Sequence, residues 1–338
     1  MAAAPSPAPD NRARRGALPV LIGATALGVV AWLMFAPAVL SGFDSHPDPA
    51  TTYEGALRRI DALRSADGGD VNPLCHLKLM THGHRVARVV VLLHGLTNCP
   101  QQFEALGEVL YRRGANVLIA RVPHHGLADR LTPDLARLTA GELTRFGDRV
   151  TDAGVGLGDS VTVAGLSLGA VVAAWIAQER RDVDRAIVIA PLFGVPQVWT
   201  PLTPGFTRVM RWIPNRFVWW DDQRRAAIPG PPYVYPRFST RALGEILRLG
   251  AAVAAKARSA APGAVSITLV TIARDPAISN PAALEVEESW RRRAPGRVRA
   301  YQFPERLHLG HDIVDPLQPY ANTEAVYPVL ADLMGARP

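Results

Sequence analysis

The feature that most constrains this chain is the pentapeptide Gly165-Leu166-Ser167-Leu168-Gly169, because of what lies on each side of it. The apolar run VTVA directly precedes it, and the helix-forming stretch AVVAAWIAQE follows it. Gly-x-Ser-x-Gly recurs by chance, but between a buried strand and a helix it predicts a sharp turn that needs glycine, since a side chain would clash. Such a turn would lift the Ser167 hydroxyl clear of the sheet as a nucleophile. The alternative is a serine in an ordinary strand-to-helix turn.

Short β-branched runs alternate with helical stretches, and this alternation predicts a doubly wound, mostly parallel sheet covered by helices over residues 74–338. The predicted strands are 88–93, 116–121, 160–164, 185–190, 266–272 and 297–303. The predicted helices are 100–113, 131–154, 168–180, 281–293 and 323–334.

One connection is too long for a plain link between two strands. It covers about 192–261 and is rich in aromatic residues and proline. A connection of this length is usually a functional insertion, so it predicts a cap over the site. The alternative is a second packing layer, since aromatic residues more often pack in a core than contact a ligand.

A second motif ends a predicted strand, in the sequence VVVLLHGLTN, where His94-Gly95-Leu96-Thr97 begins a loop. Together with the sharp turn at Gly165–Gly169, which we call the elbow, this motif resembles the α/β-hydrolase superfamily. The resemblance is closer to its bacterial esterase and monoacylglycerol-lipase-like branch and runs from Val86 to the C-terminus. The resemblance implies an oxyanion hole made by the backbone N–H groups of Leu96 and Leu168. Main-chain donors suit this role because they need no reorganisation when charge develops. We expect His94 to order the loop and not to act as a catalyst.

A serine nucleophile needs a base and an acid that orients the base, in the chain order Ser, Asp or Glu, His for this fold. Asp275 follows the run ITLVTIAR at a predicted strand end, which makes it the candidate acid. The alternatives, Glu285, Glu287 and Glu288, fall within a predicted helix and are interpreted as its solvated face.

The candidate bases lie in FPERLHLGHDIVDP, after the last predicted strand. We favour His311. The resemblance implies a catalytic histidine directly before an acidic stretch, and such a stretch follows His311. His308 is the alternative, because only geometry separates the two. Asp312 and Asp315 are expected to cap the next helix or to order the loop.

These residues predict two-step acyl transfer by a serine hydrolase that cleaves carboxylic esters without a cofactor. The apolar cap favours a lipophilic acyl ester or a monoacylglycerol. An acyltransferase, a peptidase and a non-catalytic binding protein on the same fold remain alternatives. No metal site is predicted at His124 and His125 or at His82 and His84, since no carboxylate or cysteine lies at ligand spacing.

The N-terminal region predicts attachment to a membrane. A basic tail, 1–16, with arginines at 12, 14 and 15, precedes an uncharged apolar segment, 17–40, which is about long enough to span a bilayer as a helix. The alternative is a signal segment that is cleaved after export. A linker and a lead-in helix are expected over 41–73. In either case the positive-inside rule places the remaining chain outside the cytoplasm.

Two further features bear on the environment and the partners of the chain. If the domain is exported, Cys75 and Cys99 lie where disulfides persist, so a bridge between them is possible, as are two unpaired thiols. The net charge of +7 comes from scattered arginines, with lysine only at Lys78 and Lys256. No basic stripe with interleaved aromatic residues is present, so a nucleic-acid partner is not predicted.

Overall fold

The computed structural model describes residues 42–66, 68, 70–228 and 230–336, together with Thr25 and Gly28. The predicted basic tail, 1–16, lies outside the described residues, and so does the predicted membrane segment, 17–40, apart from those two positions. Among the described residues, no helix combines the length and the apolar character needed to cross a bilayer.

The described chain forms a seven-stranded sheet. Its strands are β1 (Lys78–Met80), β2 (Val86–Leu93), β3 (Asn116–Ala120), β4 (Gly158–Leu166), β5 (Arg185–Ile189), β8 (Ser266–Ile272) and β9 (Val298–Phe303). The strand order is β1-β3-β2-β4-β5-β8-β9, in which β1 runs antiparallel to its neighbour and the other pairings are parallel. A separate antiparallel hairpin pairs β6 (Phe217–Trp219) with β7 (Arg237–Ser239).

Helices cover this sheet in two groups. The described helices are α1 (Tyr53–Ser65), α2 (Glu104–Arg112), α3 (Ala140–Leu157), α4 (Leu168–Glu179), α5 (Thr203–Trp212), α6 (Thr240–Ser259), α7 (Asn280–Arg293) and α8 (Thr323–Leu333). Successive contacts link α3, α4, α6 and α7 in one layer, with α1 packed on α3. Helix α2 packs against β3 and α8. Because helices bury the central parallel strands, those strands are almost continuously apolar.

All six predicted strands are present, and the mostly parallel sheet agrees with the expected α/β-hydrolase fold. The helix predicted over 131–154 begins later, at Ala140. There Thr139 and Glu142 form a reciprocal capping box, in which the side chain of each residue accepts the N–H of the other. The short edge strand β1 was not predicted, because three residues carry too little periodicity to identify a strand.

The long connection over 192–261 divides into two parts. Its first part contains α5 and the β6–β7 hairpin, whereas its last part, α6, packs against α4 and α7 in the helical layer. Helix α6 therefore belongs to the second packing layer that was the alternative for the whole segment. Only the part before α6 remains available as a cap.

Candidate active site

Ser167 lies in a sharp turn between β4 and α4, with a left-handed backbone φ of 58° and ψ of −112°. Its N–H donates to the carbonyl oxygen of Ile189 at 3.0 Å. A Cβ atom at Gly165 would lie 2.1 Å from the carbonyl oxygen of Gly169, and one at Gly169 would lie 2.0 Å from that of Leu93. Both glycines are therefore required sterically, as the motif predicts.

The turn also places Ser167 at the N-terminus of α4. Leu168 is the first residue of this helix, so its N–H has no acceptor within the helix. The positive end of the helix dipole favours negative charge at this position. Ser167 is only 7% exposed, so charge that forms there is shielded from bulk water.

The loop after β2 is held by the buried side chain of His94. Its Nδ1 lies 2.9 Å from the carbonyl oxygen of Gly95, and its Nε2 lies 3.0 Å from the N–H of Val122. These contacts identify Nδ1 as the protonated nitrogen, and burial lowers the pKa of His94, which keeps the ring neutral. Because the peptide unit is planar and trans, anchoring the Gly95 carbonyl also fixes the direction of the Leu96 N–H. His94 thus orders the loop, as its sequence context suggested.

The same loop packs against the elbow. A Cβ atom at Gly95 would lie 3.5 Å from the Cβ of Ser167. The N–H of Gly95 donates to Oε1 of Gln102 at 2.8 Å. Sequence reasoning did not find Gln102, because nothing in its local pattern distinguishes it from the neighbouring Gln101.

Asp275 and His311 are in direct contact. Nδ1 of His311 lies 2.8 Å from Oδ2 and 3.0 Å from Oδ1 of Asp275, in the loops after β9 and β8. The N–H of Ala277 also donates to Oδ1 of Asp275 at 2.8 Å, which anchors the carboxylate. A proton on Nδ1, held by the carboxylate, leaves Nε2 of His311 as the acceptor nitrogen of the ring.

His308, the alternative base, occupies a different environment. It is exposed, has a left-handed φ of 46°, and lines an open cavity of about 460 Å³ beside Tyr320. Its side chain makes no hydrogen bond or ion pair with the part of the chain that the structure describes. The structure therefore brings Asp275 together with His311 and not with His308.

The alternative acids lie on α7, as the sequence indicated, but not all of them are solvated. Glu285 is exposed and Glu288 is partly exposed, whereas Glu287 is buried, with its carboxylate 3.8 Å from the guanidinium of Arg291. The prediction of a solvated face is therefore wrong for Glu287. An ion pair within the helix lets this carboxylate lie on the packed side.

Asp312, next to the favoured base, orders its loop. Its Oδ1 accepts the N–H groups of Val314 and Asp315, at 3.3 Å and 3.2 Å. The next helix, α8, is capped by Asn322, so the helix-capping alternative for Asp312 and Asp315 is wrong. Burial is the main cause that raises the pKa of Asp312, to about 6.

Two carboxylates contact the imidazole of His124, and the sequence analysis did not identify either of them. Nδ1 of His124 lies 2.7 Å from Asp134, and its Nε2 lies 3.3 Å from Glu142. Asp134 and Glu142 follow His124 by 10 and 18 residues, which are wider than the short ligand spacings sought in the sequence. Within the described ranges, no group of three histidine, cysteine, aspartate or glutamate side chains could hold a metal. His82 instead stacks on Tyr111.

Cys75 and Cys99 form a disulfide with a Cα–Cα distance of 5.2 Å. Cys99 ends the loop that follows β2 and precedes the 3-10 helix Pro100–Phe103. The bridge therefore ties the loop beside the elbow to the segment that precedes β1. Of the sequence alternatives, the structure contains the bridged pair.

Comparisons with known proteins agree with this architecture. The family Hydrolase_4, described as serine aminopeptidase, S33, matches residues 84–308, which include the elbow and Asp275 and end before His311. No curated protein matches the chain.

Several solved structures share the fold at low sequence identity. The structure described for the metagenome-derived lipolytic enzymes LipS and LipT is 15% identical, with a TM-score of 0.58 over 79% of this chain and 100% of that one. A monoacylglycerol lipase from Paleococcus ferrophilus is 15% identical, with a TM-score of 0.57 over 78% and 99%. A soluble variant of the Saccharomyces cerevisiae monoglyceride lipase, in complex with a substrate analogue, is 14% identical, with a TM-score of 0.51 over 77% and 90%.

The family match covers more than half of the chain, and the similar structures share its fold. The chain is therefore an α/β hydrolase and belongs to the Hydrolase_4 family, described as serine aminopeptidase, S33.

Proposed function

We propose that the chain is a serine hydrolase that cleaves carboxylic esters with Ser167 as nucleophile, His311 as base and Asp275 as the orienting acid. The observation that carries the proposal is the Asp275–His311 contact, which leaves Nε2 as the acceptor nitrogen of the imidazole. The strained turn at Ser167 adds support. A serine with a left-handed φ costs conformational free energy, and residues with such strain cluster at functional sites.

The reaction follows from the chemistry of these groups. Nε2 of His311 takes the proton of the Ser167 hydroxyl while Oγ attacks the ester carbonyl. The N–H groups of Leu96 and Leu168 stabilise the oxyanion, and the imidazolium protonates the departing alcohol. Water then attacks the acyl-enzyme with His311 again as base, which releases the acid and restores Ser167. Asp275 stabilises the imidazolium in both steps.

We further propose a lipophilic acyl ester, such as a monoacylglycerol, as the substrate class. The β6–β7 hairpin approaches residues 94–99, which we propose as the oxyanion loop, because Nε1 of Trp220, the residue after β6, donates to Oγ1 of Thr97 at 3.0 Å. Trp220 also packs on Phe238, with ring centroids 4.5 Å apart. Aromatic surface at this position suits an apolar acyl chain. The lipolytic enzymes among the similar structures support the same class.

Fluorophosphonate labelling of the wild type and of Ser167→Ala, followed by an ester panel of increasing acyl length, tests the proposal. We expect one label per wild-type chain, none on the variant, and a preference for longer acyl groups over acetate. Equal labelling of the folded variant would contradict Ser167 as nucleophile. A folded wild type that takes no label would indicate a non-catalytic binding protein, and a flat chain-length profile would contradict the lipophilic substrate.

A peptidase is the second candidate function, because the family is described as serine aminopeptidase. Peptides with a free N-terminus, assayed beside the esters, separate the two activities by kcat/KM. Acyl transfer to an added alcohol, measured by product analysis, distinguishes an acyltransferase from a hydrolase.

We also propose that the catalytic domain lies outside the cytoplasm and is held there by the apolar segment 17–40. The Cys75–Cys99 disulfide supports this location, since such bridges persist in oxidising compartments. Cell fractionation, with thiol alkylation of intact cells before and after reduction, tests it. A cytoplasmic protein with both thiols free would contradict the proposal.

A further inference from the structure

Gln102 uses both ends of its side-chain amide. It lies in the 3-10 helix Pro100–Phe103 and is 2% exposed. Its Oε1 accepts the N–H of Gly95 at 2.8 Å, and its Nε2 donates to Oδ2 of Asp312 at 2.6 Å. A backbone N–H needs an acceptor and a carboxylate needs a donor, so these two partners fix the orientation of the amide.

These two partners belong to the two loops that carry the proposed reaction. Gly95 precedes Leu96, whose N–H we assign to the oxyanion hole, and it packs against Ser167. Asp312 directly follows His311, the proposed base. One buried side chain therefore links the oxyanion side of the site to the base side, across a sequence separation of 210 residues.

A second donor, Nδ2 of Asn98, reaches the same carboxylate oxygen of Asp312 at 3.0 Å. Asn98 itself belongs to the oxyanion loop: its Oδ1 accepts the N–H of Cys99, and its backbone N–H donates to the carbonyl oxygen of Gly95 at 3.2 Å. Of these two donors to Oδ2, Gln102 is the one whose side chain also accepts the N–H of Gly95. Removing its amide would leave a buried N–H without an acceptor, which costs free energy that the loop can recover only by moving.

We propose that Gln102 is a positioning residue that keeps the N–H of Leu96 and the imidazole of His311 in the relative placement that acyl transfer requires. The proposal rests on the proposed function. It differs from a purely structural role because it concerns the transition state and not the binding of the ground-state ester. A displacement of catalytic groups by about 1 Å can reduce the rate by about a hundredfold.

The test compares Gln102→Met and Gln102→Glu with the wild type. Methionine keeps the approximate volume of the side chain and removes both hydrogen bonds. We expect kcat to fall on the order of tenfold to a hundredfold, with KM within about twofold of the wild type. Gln101→Met is the matched control, since Gln101 is in the same turn but contacts Lys78 and Glu104 instead. We expect its kcat to stay within about twofold.

The glutamate variant supplies a readout that altered stability does not move. It places a second carboxyl group against Asp312, so the bridge to Oδ2 forms only when the pair holds a proton. Its kcat relative to the wild type at the same pH should therefore rise at least about fivefold between pH 8 and pH 5.5. The ratio for Gln102→Met should stay constant. The titratable groups that face Asp312 are His311, Asp315, Tyr327 and Tyr233, the last of which is bonded to Asp315, and all are the same in the compared proteins.

Two results would overturn the inference. One is a kcat within twofold of the wild type for folded Gln102→Met. The other is a pH-independent ratio for Gln102→Glu, which would leave Gln102 with a packing role. Ser167→Ala is measured in the same assay: if it keeps wild-type activity, the proposed function fails, whereas its inactivity beside a fully active Gln102→Met overturns this inference alone.

Discussion

The carboxylate of Asp275 is hydrogen-bonded to the imidazole of His311, with both oxygens within 3.0 Å of Nδ1. The Asp275 side chain is fully buried, whereas that of His311 is 21% exposed. A buried carboxylate that holds one ring nitrogen leaves the other as the acceptor, which is the state that a general base needs.

Replacement of His311 should separate the two candidate bases. His311→Gln removes the proposed base and should lower kcat at least about a hundredfold. His308→Gln should stay within about twofold, because the exposed His308 does not contact Asp275. Steady-state kinetics with a soluble ester measures both variants. A larger loss in His308→Gln than in His311→Gln would reverse the assignment.

Asp275→Asn should lower kcat by about 10³ to 10⁴, because an amide that donates to Nδ1 favours the wrong imidazole tautomer. The backbone N–H of Ala277 can still donate to the amide oxygen, so we expect the variant to fold. Circular dichroism checks the fold, and ester kinetics measures the loss. Glu288→Gln, which removes a partly exposed carboxylate on α7 that pairs with Arg291 and Arg292, is the control and should retain activity. Comparable activity of the two variants would argue against Asp275 as the acid.

Loss of the disulfide should destabilise the chain. Cys75 and Cys99 are separated by 24 residues, and closing a loop of that size stabilises a fold by about 3 kcal/mol in the chain-entropy description. The double variant Cys75→Ser/Cys99→Ser should therefore show a lower free energy of unfolding in urea. Dithiothreitol should lower the free energy of unfolding of the wild type and should not change that of the double variant. Equal free energies of unfolding for the disulfide-bonded wild type and the double variant would contradict this prediction.

Stability should also fall in mild acid because of His125. Burial lowers its pKa to about 3, and its Nε2 has no hydrogen-bond partner among the described residues. The unfolded chain binds a proton below about pH 6.5, whereas the folded chain does not until about pH 3. Above pH 6.5 this group therefore causes no loss of stability. As the pH falls below 6.5 it lowers the free energy of unfolding, by about 2 kcal/mol at pH 5.

His125→Phe should reduce the drop in unfolding free energy between pH 8 and pH 5 by that amount, as measured by urea denaturation at both pH values. His84→Gln, at an exposed position, should leave the drop unchanged. Burial also lowers the pKa of His94, so His94 adds to the same loss of stability in acid. The His125→Phe variant should therefore keep part of the pH dependence. An unaltered drop in His125→Phe would show that His125 can be protonated in the folded state.

Local patterns in the sequence determined the elements that carry the site. The glycines at 165 and 169 could be predicted because the clash that excludes a side chain arises within one tight turn and its adjoining strands. The parallel strands could be predicted because burial on both faces makes them continuously apolar. The loop at His94 and the position of Asp275 followed from strand ends. Each of these inferences needs only neighbouring residues.

Tertiary structure alone decided which remote residues meet. It paired Asp275 with His311 and not with His308, joined Gln102 to Asp312, and placed α6 in the helical layer and not in the cap. It also set two carboxylates against His124, although none was near in sequence. The physical reason is that hydrogen bonds and burial act over a few ångströms in space, and one sequence does not state which distant segments approach that closely.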